Sequence, residues 1–164
     1  MGLRGRAIKV GDSISTDLIC PGRLFHLRNN LPELARHLFE DLDPNLSKKI
    51  KRGSFIVAGK NFGLGSSREH AVRILKISGV NGILAQSFAR IFFRNAVNVG
   101  LPVFVCDTDK INPGDILNLK VDKGILRDET RGINLETKSL PRVMQDILRA
   151  GGLIPYIKKY KCLR

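Results

Sequence analysis

The stretch that decides the reading is Gly59-Lys60-Asn61-Phe62-Gly63-Leu64-Gly65-Ser66-Ser67-Arg68-Glu69-His70. It follows a short apolar run, Phe55–Ala58, and leads into Ala71, Ile74, Leu75 and Ser78 at helical spacing. A strand, a tight turn and a helix are therefore expected in that order. Gly63 and Gly65 admit backbone angles and close approaches that a side chain forbids. Ser66 to Glu69 reads S-x-x-E, a capping box at the helix start. The first amides of that helix, with its dipole, suit a carboxylate or a phosphate. Arg68 adds a guanidinium that can hold such a group with two hydrogen bonds. The stretch breaks G-x-G-x-x-G at its last position, and no G-x-x-x-x-G-K-[ST] occurs, so neither nucleotide fingerprint is present.

Outward from this turn, strand-like runs lie at Ala7–Val10, Phe55–Ala58, Gly82–Ala85, Val103–Cys106, Ile116–Val121 and Gly132–Leu135. Helical stripes lie at Leu34/Ala35/Leu38/Leu42, Ala71/Ile74/Leu75/Ser78, Phe88/Ile91/Phe92/Ala96 and Val143/Ile147/Leu148. Gly151-Gly152 stops the last of these. From Phe55 to Cys106 the order is strand–helix–strand–helix–strand, the rhythm of a mainly parallel sheet. After residue 108 short strands and turns add a β-rich layer. Gly11–Asn30 and Asp43–Gly53 read as long, poorly packed loops of the kind that carry function. No repeat or linker divides the chain, so residues 1–164 are expected to form one α/β domain.

Composition supports a packed core: 43% of the 164 residues are hydrophobic. Lys and Arg number 28 against 15 Asp and Glu, a net charge of +13. That raises nucleic acid, anionic membranes and small anions as partners. Lys48–Arg52 and Lys158–Lys161 carry too few aromatics for a base-stacking surface, so no nucleic-acid partner is expected. No apolar run reaches the ~18 residues of a membrane span, and the first residues lack a secretory apolar core. Cys20, Cys106 and Cys162 are odd in number and far apart. That argues against disulfides and against a metal or iron–sulfur site within the chain, and suits the cytoplasm. Cys162, near the end of a polar tail, is a candidate for self-association of the isolated chain through a disulfide.

Gly59–Ala71 resembles a signature of the swivelling domain of the aconitase superfamily. Gln86–Pro102 (QSFARIFFRNAVNVGLP) resembles the second signature of that domain, and Gly11–Ile19 (GDSISTDLI) resembles a third. The three stand in family order, and the length matches the free-standing small subunits of this superfamily. The resemblance implies a β/β/α three-layer swivelling domain. It also implies a subunit of a hydro-lyase that moves a hydroxyl between neighbouring carbons of a hydroxy-di- or tricarboxylate. A [4Fe–4S] cluster is then expected on a large-subunit partner, with no cofactor in this chain, which alone would be inactive. By position in the motifs, Ser66 would be the base, Ser67 and Arg68 would hold carboxylates, and Asp17 would be an active-site acid. Arg28 falls near a second substrate-contacting arginine, and Leu27 would face an apolar side group. Leu27 beside Arg28 leaves isopropylmalate and homocitrate both open. The capping box conflicts with a basic Ser66: either Ser67 takes the cap, or Ser66 leaves it when the partner docks.

Overall fold

A computed structural model describes residues 2–66 and 68–161. Its centre is a seven-stranded sheet organised around β1 (Gly2–Gly11). The first half of β1 pairs antiparallel with β5 (Ile116–Lys120), and its second half pairs parallel with β2 (Phe55–Ala58). β3 (Gly82–Ala85) and β4 (Val103–Val105) continue the parallel half; β6 (Ile125–Asp128) and β7 (Ile133–Glu136) continue the antiparallel half. The strand order is β4-β3-β2-β1-β5-β6-β7.

The three layers follow from strand alternation. Every residue of β2 and β3 is buried, so both faces of those strands are covered. Ile56 and Ala58 join a core with Ile74, Leu75, Phe92, Ala96, Ile147 and Tyr156. Those residues come from α4 (Glu69–Ile77), α5 (Arg90–Val99), α6 (Arg142–Arg149) and α7 (Leu153–Tyr160). Phe55 and Val57 point the other way, onto Leu117, Leu119, Leu126 and Leu135 of the antiparallel half. The sheet thus folds over itself and gives two β layers and one helical layer, the α/β class expected.

Several elements differ from their sequence patterns. β6 has no clear apolar alternation because its second inward position is Asp128. That carboxylate is fully buried and accepts hydrogen bonds from Thr130 N, Arg131 N and Arg131 Nε. α7 escapes the apolar pattern because only Tyr156 is buried, while Ile154 and Ile157 face outward. The Leu34–Leu42 stripe is not one helix, since α2 spans only Leu31–Ala35. Phe39 takes a left-handed φ of +57° and its N–H donates to Ile19 O, which turns Leu42 out to solvent. Ile91 is likewise 52% exposed rather than part of the α5 core stripe. The Gly11–Asn30 segment is well packed instead of loose. It holds α1 (Thr16–Ile19) and a 3-10 segment, Gly22–Leu27, and it buries Ile14, Ile19 and Cys20. The second expected loop contains α3 (Leu46–Lys49), anchored by buried Leu46 and Ile50.

Candidate active site

The loops that leave the carboxyl ends of β1, β2 and β3 meet, the usual place for a ligand site in an open parallel sheet. Backbone bonds knit them together. Ser13 N donates to Lys60 O (2.8 Å), Gly63 N to Ile14 O (2.7 Å) and Thr16 N to Leu64 O (2.8 Å). Phe62 N donates to Ser87 O (3.0 Å), and Ala89 N donates to Phe62 O (2.9 Å). The Asp12 carboxylate accepts from Lys60 N at 2.7 Å. All three motif segments are therefore parts of one structure.

The glycines have a concrete role at Gly63. Its φ is +81°, and a Cβ there would stand 2.2 Å from Phe92 Cγ. The turn can lie against α5 only because no side chain intervenes. Past Gly65, the carbonyl of Ser66 accepts from Thr16 Oγ1 (3.1 Å) and from Arg68 N (2.8 Å). The helix begins later than the capping box requires: α4 starts at Glu69 with Arg68 at the N-cap position and no side-chain cap bond. The expected box is therefore corrected. Ser66 lies outside the helix, with its carbonyl tied to Thr16 Oγ1 and to Arg68 N. The conflict between capping and basic roles at Ser66 disappears with it.

Ser66 is exposed at a cavity of about 290 Å³ lined by Thr16, Gly65, Ser66, Arg68, Arg90, Ile91 and Asn95, among others. No hydrogen bond engages its hydroxyl among the described residues. Arg68 Nη1 stands 2.5 Å from Asp17 Oδ1. The contact is off-axis, so Nη1 is buried without an aligned hydrogen-bond acceptor. The structure thus brings Ser66, Arg68 and Asp17 together. Leu27 is half-buried against the main core, whereas Phe25 of the same 3-10 segment is 47% exposed. Arg28 is exposed, with its Cζ 4.6 Å above the Phe25 ring centre. Ser67 and Cys162 lie outside the described residues. Sequence reasoning missed Thr16, Ile91, Asn95 and Phe25; only the oversized apolar content of an exposed helix start could have flagged Ile91.

His70, on the first turn of α4, packs edge-on against Phe25 with ring centres 5.6 Å apart. Burial, then the positive charges of Arg68 and Arg28, lower its pKa below 6.5. The unfolded chain therefore binds more protons than the folded one as pH falls below about 6.5. Stability contributed by the neutral ring is present above that pH and is lost on acidification. An NMR titration of the His70 ring protons should give a midpoint below 6.5; a midpoint above it would contradict this environment.

Among the described residues no group of three His, Cys, Asp or Glu is arranged to hold a metal ion. Cys20 and Cys106 sit in different cores, and burial pushes their thiols up to about 11 and about 12. An iron–sulfur group takes several cysteines converging on one place, and these two lie apart with no further ligands gathered around either among the described residues. No helix among the described residues is long and apolar enough to cross a membrane.

The Aconitase C-terminal domain family matches residues 33–106, which include the glycine-serine turn and the α5 segment. The chain is 58% identical to 3-isopropylmalate dehydratase small subunit 2 of Archaeoglobus fulgidus, over 98% of this chain and 97% of that protein. It is 54% identical to small subunit 1 of the Thermotoga maritima enzyme, over 96% of each. A crystal structure described as 3-isopropylmalate dehydratase from Methanocaldococcus jannaschii superposes with a TM-score of 0.94 at 43% identity, covering 98% of this chain and 96% of that one.

Proposed function

We infer the chemistry of the site from one premise: this chain belongs to the family of 3-isopropylmalate dehydratase small subunits, within the aconitase superfamily. It is a hydro-lyase subunit that works with a large subunit to interconvert 2-isopropylmalate and 3-isopropylmalate in leucine biosynthesis. Within that activity we assign the proton transfer at carbon to Ser66. The observation that carries this is exposed Ser66, which lines one cavity with Arg68 just before α4 and whose hydroxyl makes no hydrogen bond among the described residues.

A serine hydroxyl is a weak base in water. In a cavity it shares with the Arg68 guanidinium, its alkoxide is stabilised as an oxyanion is. Ser66 Oγ takes the proton from the carbon next to the one bearing the hydroxyl. The C–H electron pair forms the double bond between the two carbons, and the hydroxyl leaves with its bonding pair and takes a proton from solvent to become water. Rehydration returns the proton to one carbon and places the hydroxyl on its neighbour. Arg68 holds a substrate carboxylate, with Ser67 as a second donor. Asp17, paired with Arg68 here, fixes the guanidinium until a substrate carboxylate takes its place. Arg28 and Leu27 stand on the segment that meets the substrate's variable side group.

A [4Fe–4S] cluster on the large subunit would supply the Lewis acidity for the departing hydroxyl. The setting is the cytoplasm, which suits two buried free thiols. The test is steady-state kinetics of this chain with and without its cluster-bearing large subunit. Turnover of isopropylmalate is expected only from the complex, and turnover by the chain alone would overturn the division of labour. Arg28, an exposed cation on that segment, favours a second reading in which homocitrate, with its extra carboxylate, is also a substrate; the same kinetics with homocitrate decide it.

A further inference from the structure

We propose that His70 is a positioning residue for the 3-10 segment Gly22–Leu27, acting through Phe25 on the placement of Arg28. The inference rests on the reading of Arg28 as a substrate contact.

Arg23 holds the middle of the segment through ion pairs to Glu40 and Asp41, and Leu24 and Leu27 pack on the main core, whereas Phe25 and Arg28 near its end are exposed. Its N-cap, Pro21, makes no side-chain cap bond, and none of its residues is fully buried. At its start Gly22 lies close over the Asp17–Arg68 pair; a Cβ there would be 3.2 Å from Asp17 Oδ1 and 3.3 Å from Arg68 Nη1. At its end three groups stand in series. The His70 ring meets the Phe25 ring at 62° with centres 5.6 Å apart. Arg28 Cζ stands 4.6 Å from the Phe25 centroid, and Arg28 Nη1 donates to Phe25 O at 3.4 Å. Edge-to-face rings and a guanidinium over a ring are both favourable geometries. Phe25 is thus the link between a helical residue and a cation on a solvent-exposed segment.

His70 is not among the residues that line the cavity beside Ser66. Its Nε2 is buried and has no hydrogen-bond partner among the described residues. The contact the imidazole makes with Phe25 is therefore one of ring against ring, with Nε2 taking no part in hydrogen bonding. A rigid helix position can fix the exposed Phe25 side chain, because α4 is packed into the main core through Ala71, Val72, Ile74 and Leu75.

The test uses the complex with the cluster-bearing large subunit and follows KM and kcat separately for isopropylmalate. His70→Ala is expected to raise KM about 5-fold with kcat within about 2-fold, the size of one aromatic contact. His70→Phe keeps the ring and is expected to restore KM to within about 2-fold. Phe25→Ala is expected to match His70→Ala, and the double variant to be no worse than either single one, since one contact is lost in each case. Arg28→Ala separates the two layers of the argument. If it leaves KM unchanged, the reading of Arg28 fails and this inference with it. If it raises KM while His70→Ala and Phe25→Ala do not, the positioning role alone is overturned. A rise in KM that His70→Phe fails to rescue would also overturn it, by showing that the ring nitrogens matter. Should His70→Ala fold poorly, Phe25→Ala and His70→Phe still decide the matter.

Discussion

Ser66→Ala in the assembled enzyme is expected to lower kcat by about 10²–10⁴-fold, the usual worth of a positioned proton-transfer group. The subunit's melting temperature should stay within about 2 °C, because exposed side chains contribute little to stability. Both halves of this expectation come from one local arrangement. The Ser66 backbone is structurally engaged, through its carbonyl to Thr16 Oγ1 and Arg68 N. Its side chain is exposed and makes no hydrogen bond among the described residues. Removing the hydroxyl thus takes away chemistry without removing a structural contact. Had Ser66 capped α4, alanine would cost about 1 kcal/mol of stability and the two effects would be entangled. Kinetics of the complex, together with calorimetry of the subunit, check the pair of outcomes. Near-normal turnover would remove Ser66 as the base; a large stability loss would restore the capping role.

Gly63→Ala is expected to be the most damaging small substitution at the turn. Two costs add. A φ of +81° is the left-handed region, which costs an alanine about 1–2 kcal/mol. The new methyl would also lie 2.2 Å from Cγ and 2.5 Å from Cβ of Phe92. Those atoms are the root of a buried side chain and cannot swing aside, so overpacking adds about 1–3 kcal/mol. The sum, about 2–5 kcal/mol, corresponds to roughly 10 °C in melting temperature for a chain of this size. Gly132→Ala isolates the backbone cost: its φ is +71°, but nothing lies within 4 Å of the added Cβ. Thermal unfolding of the two variants should differ clearly, with Gly63→Ala the lower. Equal losses would mean that the turn does not lie against Phe92 as described. Activity of Gly63→Ala in the complex should fall as well, since the same turn carries Ser66 and Arg68.

The predicted and observed structures differ where one inward position broke a pattern. β6 was hidden by Asp128, a carboxylate that takes an apolar slot and is held there by backbone amides and Arg131. The stripe from Leu34 to Leu42 read as a helix because spacing alone cannot show the left-handed turn at Phe39. The S-x-x-E pattern read as a capping box because its residue types fit. The Ser66 carbonyl is instead bound to Thr16, fifty positions away, and the helix starts only at Glu69. Each miss comes from a contact between segments distant in sequence.

By itself the sequence determined the α/β class, the strand–turn–helix at Phe55–Ile77 and the aconitase-type motifs with Ser66, Arg68 and Asp17 among their residues. These are local properties: periodicity, glycine placement and the order of residue types along one segment. Its charge of +13 did not by itself choose a partner. Only the tertiary structure decided which motif residues meet and in what state. It joined the loops after β1, β2 and β3 and left the Ser66 hydroxyl without a capping role. It paired Arg68 with Asp17 and set Arg28, Phe25 and His70 in series. The reason is physical: such contacts depend on how the sheet folds over and how far α4 stands from the 3-10 segment, and no local spacing in the chain encodes those distances.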